Sequence, residues 1–182
     1  MSAALKGRPP TSLAEFLDWE RGQPVRHEWD GVQPIAMVGG TYRHTEIASR
    51  LYDALRGALR GGPCSVVRTD MKVLTAQESR VRYPDLVVTC TPIPSLAVAV
   101  PDPVLIMEVL SDSTAGADLG VKLAEYTALP SLRRYLILDT EDRLALAFAR
   151  DQAFRRVELR DVLDLPEFDL RIPLAPLYEG LV

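Results

Sequence analysis

Hydrophobic positions recur along the chain with two spacings, and the alternation between them lays out the elements. Ile47, Leu51, Ala54, Leu55 and Ala58 recur at helical spacing and predict a long helix over about 42–59. His44, three residues before Ile47, falls on the same inward face, whereas Glu46, Arg50 and Asp53 fall on a wet side. Ser12 and Glu15 form a capping-box pattern that opens a shorter helix, SLAEFLDWE. VRHEWDGVQPIAMV reads as two extended runs around Asp30-Gly31, a hairpin signal. Gly39-Gly40 breaks the chain before the long helix, and GGPC turns it afterwards into two short strand candidates, CSVVRTD and MKVLTA. VRYPDLVVTC reads as one further strand. VLIMEVL is apolar except at Glu108, the pattern of a strand covered on both faces. A helix over about 115–129, a strand RRYLILD and a meander from LALAFAR to FRRVEL follow. The proline- and leucine-rich end, DLPEFDLRIPLAPLYEGLV, is expected to pack along the core edge. This order predicts an α/β (α+β) layout, a central mixed sheet flanked by helices.

Composition adds bounds. The 182 residues suffice for one domain with a proper core, expected to span 1–182 with a flexible start over 1–10. No apolar run approaches the roughly 20 residues of a membrane span, and MSAALKGRPPTSL lacks the apolar core of a secretion signal, so the expected location is the cytoplasm. Cys64, Cys90, His27 and His44 show no close metal-ligand spacing. Buried thiols and hydrogen-bonded imidazoles are favoured over a zinc site assembled from all four. A net charge of −4 argues against a protein that coats nucleic acid by bulk positive charge, though not against an enzyme touching a few phosphates. Lysine occurs only at Lys6, Lys72 and Lys122, so Lys122 is not one of many interchangeable surface lysines.

Four ionisable residues stand out: Asp85, Glu108, Asp118 and Lys122. On a regular strand Asp85 shares a face with Tyr83 and Val87, and Glu108 shares one with Val104, Ile106 and Leu110. A buried, unpaired carboxylate costs several kcal/mol or neutralises, and two on neighbouring strands repel. A divalent cation between them removes both problems, and Mg²⁺ suits one or two carboxylates with positions left for water and phosphate. The helix that follows carries Leu119, Leu123 and Tyr126 as its apolar stripe. Lys122 lies at the border of that stripe, about 40° from Tyr126, where its stem can follow the core and its ammonium can reach the strand ends. Each residue also has a plain reading: Glu108 as a strand end emerging into water, Asp118 and Lys122 as an ordinary i,i+4 pair, Pro84-Asp85 as a turn.

The ordered set RYPDLVV, PVLIMEVLSDST, D-x-x-x-K-x-x-x-Y and RRYLILD resembles the Uma-two family of bacterial restriction-endonuclease-like proteins, in the PD-(D/E)XK nuclease superfamily. The likeness extends upstream through RHEWDGVQPIAMVGGTYRHTEIASRLYDAL and CSVVRTDMKV. It implies a restriction-endonuclease-like core and a metal-dependent endonuclease acting on DNA. Pro84-Asp85 matches the PD element and Glu108 the acid that follows it. The superfamily pattern would place lysine where Leu110 stands, and Lys122 takes its part from the next helix. His44 matches a histidine near the start of the family's long helix and is a supporting residue. Asp70 and Asp118 also match family positions, Asp118 as a second supporting residue. The implied cofactor is Mg²⁺ or Mn²⁺, held by Asp85, Glu108 and the Val109 carbonyl, with Lys122 orienting water. Arg133-Arg134 and Arg155-Arg156 could meet phosphates, whereas Arg80 and Arg82 fall on the face opposite Asp85 and are expected to be solvated or paired with acids. A homodimer is expected for an enzyme that cuts duplex DNA. The competing reading is a non-catalytic binding or regulatory protein that keeps the nuclease fold.

Overall fold

The computed structural model describes residues 8–37, 39–68, 70–75, 79–110 and 118–181. The chain opens with α1 (Leu13–Glu20), whose N-cap Ser12 accepts a hydrogen bond from the Glu15 amide, as the capping pattern predicts. Strands β1 (His27–Trp29) and β2 (Pro34–Ala36) form the expected hairpin. Asp30 Oδ1 accepts from the amides of Val32 and Gln33 there, and Gly31 takes φ +95°. The long helix α2 spans Tyr42–Ala58 and is capped by Thr41.

The next strands are β3 (Ser65–Arg68), β4 (Val73–Thr75), β5 (Arg80–Arg82), β6 (Leu86–Thr89) and β7 (Pro103–Val109). A π-helical turn over Asp118–Lys122 leads into α3 (Leu123–Thr127). Then come β8 (Arg134–Leu138), β9 (Ala145–Ala149), β10 (Arg156–Leu159), β11 (Val162–Leu165), β12 (Leu170–Pro173) and α4 (Ala175–Tyr178).

Six strands make a central sheet in the order β10-β9-β8-β7-β6-β3, in which β7 and β8 run parallel and the other pairs antiparallel. This is the mixed sheet flanked by helices that the pattern predicts. One face of the sheet, with Leu105, Met107 and Val109 of β7, packs on Ile47, Leu51 and Leu55 of α2. The other face, with Ile106 and Tyr135, packs on Tyr126 of α3. Four strands form a second sheet in the order β2-β1-β5-β4, and its Trp29 and Val81, with Tyr83 just after β5, close over Phe16 of α1.

The sequence expectations need four corrections. VRYPDLVVTC is not one strand: β5 belongs to the four-stranded sheet and β6 to the six-stranded sheet, and the chain changes sheets at Tyr83-Pro84-Asp85. Proline has no amide to give a ladder, so the break falls where Pro84 stands. The C-terminal stretch, expected along the core edge, instead enters the core as a hairpin, β11 with β12, that buries Leu163, Leu165 and Ile172. Cys64 and Cys90 are neither thiols nor zinc ligands: they form a disulfide. Ser65 pairs with Thr89 across β3 and β6, and extending that ladder by one residue sets the two cysteines opposite each other. Arg134 does not face solvent: it is buried and donates in bidentate fashion to Glu167. The expected flexible start lies mostly outside the described residues, as does the turn at 111–116.

Candidate active site

The site gathers where β6 begins and β7 ends. Leu86 pairs with Met107, so one further step brings Asp85 to the position facing Glu108. Asp85 is thus not a mid-strand residue sharing a face with Tyr83; it sits in the break between two sheets. Its Oδ2 accepts from the Val109 amide at 2.8 Å and meets His44 Nε2 at 3.2 Å. An ionised carboxylate only accepts, so this contact assigns the imidazole proton to Nε2. His44 stands in the first turn of α2, where its own amide donates to the Thr41 cap. Gly40 makes room for the ring: a Cβ there would lie 2.6 Å from His44 Nδ1.

Glu108, one residue before Val109, is only 5% exposed. Its Oε1 accepts from Lys122 Nζ at 3.1 Å and from the Tyr126 hydroxyl at 3.1 Å. Lys122 is 7% exposed and also lies 3.4 Å from Glu28 Oε1. The burial of Tyr126, together with the Glu108 charge, holds its phenol well above the usual range, so it stays a neutral donor. Asp85, at the head of β6, and Glu108, near the end of β7, are therefore neighbours across the β6–β7 register, one fixed by a backbone amide and a histidine, the other by a lysine and a tyrosine. Among the described residues no group of three or more His, Cys, Asp or Glu side chains gathers as a metal cluster.

Two residues enter this constellation that the sequence reading did not select. Glu28 of β1 accepts from Arg82 Nη1 at 3.1 Å and from the Tyr83 amide at 3.3 Å while facing Lys122. Its only sequence signal is a carboxylate inside the short run HEW. Glu125 of α3 is buried and takes Arg82 Nε at 2.8 Å, Arg82 Nη2 at 2.7 Å, Arg80 Nη1 at 2.6 Å and the Thr75 hydroxyl at 2.9 Å. Burial pushes the Glu125 carboxyl up, but the hydrogen bonds from Arg82 and Arg80 outweigh it and leave the group below its ordinary range. Arg80 and Arg82 are thus paired with acids, as expected from their face. Asp70 lies away from this cluster, exposed and 3.5 Å from Arg26. Asp118 begins the π-helical turn, and its side chain lies outside the described residues.

A family model described as "Putative restriction endonuclease", Uma2, matches residues 13–175. The chain belongs to the Uma2 family. Two proteins of Synechocystis sp. strain PCC 6803, both named as uncharacterized, are similar to it. The protein slr1290 is 32% identical over 178 residues, 95% of this chain and 94% of its own length. The protein sll1609 is 29% identical over 131 residues, 70% of this chain and 74% of its own length. A crystal structure from Anabaena variabilis ATCC 29413, described as a putative nuclease belonging to DUF820, superposes with a TM-score of 0.75 at 14% identity. That match covers 95% of this chain and all of the other, and it shows that the Uma2 chain has the same fold. No helix among its described residues is long and apolar enough to cross a membrane.

Proposed function

We propose that this Uma2 protein is a metal-dependent endonuclease that hydrolyses phosphodiester bonds of DNA. The observation that carries the reading is the placement of Asp85 on the Val109 amide, beside a Glu108 carboxylate that meets Lys122. The family description and the nuclease title of the Anabaena neighbour agree with it.

The residues fit a hard divalent cation. Asp85 and Glu108 offer carboxylate oxygens from adjacent positions, the donor type Mg²⁺ and Mn²⁺ prefer, and the Val109 carbonyl is a third candidate. When bound there, the cation supplies Lewis acidity to the phosphodiester and lowers the pKa of a bound water. The chain's own residues do the rest. His44 and the Val109 amide hold the Asp85 carboxylate in one orientation. Tyr126 does the same for Glu108. Lys122 places a positive charge against Glu108 and Glu28, where it can orient the attacking water and offset charge on the phosphate. Two such sites, one per strand, suit a symmetric homodimer on duplex DNA; light scattering of the full chain with and without duplex reads this directly.

Nicking of supercoiled DNA with Mg²⁺ or Mn²⁺ tests the reading. D85A, E108A and K122A are each expected to slow the reaction by about 100-fold or more. No nicking by wild type under either cation, or undiminished nicking by all three variants, overturns it. The competing reading, a non-catalytic protein on the same fold, draws on the finding that among the described residues no group of three or more His, Cys, Asp or Glu side chains is placed to hold a metal. It predicts no Mn²⁺ binding in titration calorimetry.

A further inference from the structure

Several arginines in this protein are already neutralised by acids, and others are not. Arg50, Arg80, Arg82 and Arg134 each face a carboxylate and are neutralised by it. Arg56, Arg60 and Arg68 are exposed, and among the described residues they pair with no acid. Two of them are nonetheless held in place, by neutral partners. Arg56 Nη1 donates to the Tyr52 hydroxyl at 2.6 Å, and Arg68 Nη2 donates to Ser49 Oγ at 3.2 Å. Both guanidinium groups also lie over the Tyr52 ring, at 5.6 and 5.1 Å from its centre. Orientation without neutralisation leaves the positive charge available to an incoming anion. Tyr52, Arg56 and Arg60 line a surface groove of about 520 Å³ between the end of α2 and the start of β3.

The position of the groove connects it to the candidate active site. Arg68 ends β3 directly opposite Leu86, the residue after Asp85. Ser49, Tyr52 and Arg56 then follow along α2, the helix whose first turn carries His44. From His44 to Arg56 the helix rises about 18 Å, the length of about five nucleotide steps along a duplex axis. In a chain of net charge −4, a row of three uncompensated guanidinium groups leading from the site is a local exception.

We propose that the Tyr52–Arg56–Arg60 groove, headed by Arg68, binds the phosphodiester backbone of duplex DNA on its way into the site. The assignment rests on the nuclease reading for its substrate, but not for its chemistry: phosphate oxygens are the ligand in either case.

The test is fluorescence anisotropy of a fluorescein-labelled DNA duplex of mixed sequence with the full chain in EDTA, where no cleavage intervenes. The triple variant R56A/R60A/R68A is expected to bind about tenfold or more weakly than wild type, with its log K against log salt slope flattened by about 2.7. The charge-keeping R56K/R60K/R68K restores most of both. R156A/R160A serves as control: Arg156, read from the sequence as a possible phosphate contact, and Arg160 both face Glu158 in the structure, so this variant is expected to bind like wild type. Wild-type affinity and slope in the triple alanine variant, an equal loss in the control, or no duplex binding by wild type overturns the groove. Duplex binding that needs the groove, with no nicking under either cation, leaves the groove standing and removes the active-site reading instead.

Discussion

Tyr126 shows how a single buried hydroxyl fixes a neighbouring carboxylate. It is fully buried, and its hydroxyl donates to Glu108. Y126F removes that donor and leaves a buried carboxylate short of one partner, at a cost of about 1–3 kcal/mol. Urea unfolding should report that loss, and nicking should fall along with it. Gly40 acts from the opposite side: G40A puts a methyl group where the His44 ring lies, so the imidazole must leave Asp85. Its expected signature is a drop in nicking with little change in melting temperature. Asp85, Glu108 and Lys122 were legible in the sequence because each interrupts or borders an apolar run, where a charge is costly. Glu28 was not: in a three-residue strand beside a turn, a carboxylate reads as surface.

At the scale of elements, α3 and β5 are joined by ions where hydrocarbon would be expected. The sequence stripe of Leu119, Leu123 and Tyr126 suggests an apolar seat for the helix. In the structure Lys122, Glu125 and Tyr126 share the buried side, with Arg82 bridging Glu125 to Glu28. Arg82 thereby braces Glu28, one of the two carboxylates that Lys122 faces. Breaking this buried pair in E125Q is expected to cost about 3 kcal/mol at neutral pH. The pH dependence follows from the lowered carboxyl. Folded Glu125 titrates below its ordinary 4.5, so its stabilisation is complete above that value and is lost as pH falls through the folded one. Acid unfolding of wild type should therefore steepen below about pH 4.5, and E125Q should flatten that limb. Helical periodicity located α3 but could not disclose the brace, because the partners of Glu125 come from β4 and β5, far away in sequence.

For the molecule as a whole, the disulfide closes a loop of 26 residues between β3 and β6. Chain-entropy accounting gives about 3.5 kcal/mol for a loop of this size, so unfolding with and without reductant should differ by about that amount. Sequence could not pair Cys64 with Cys90, since the pairing follows from a ladder register that no local pattern fixes. The same holds for the change of sheet at Pro84: the apolar run continues on both sides, and only the long-range pairing separates it. By contrast, the long helix, the first hairpin and the doubly covered β7 were readable, because each is set by local periodicity or turn chemistry.

The change of sheet has a consequence for how the protein would lose function. Glu28 and Arg82 belong to one sheet and Glu108 to the other, with Asp85 at the crossing. The four-stranded sheet has its own small core around Trp29, separate from the larger ones. A sub-global opening that lifts this sheet would dismantle the constellation while the six-stranded ladder stays closed. In native-state hydrogen exchange, the amides of β1 and β5 should then open at lower free energy than those of β7 and β8. On heating, activity should vanish ahead of the main circular dichroism transition.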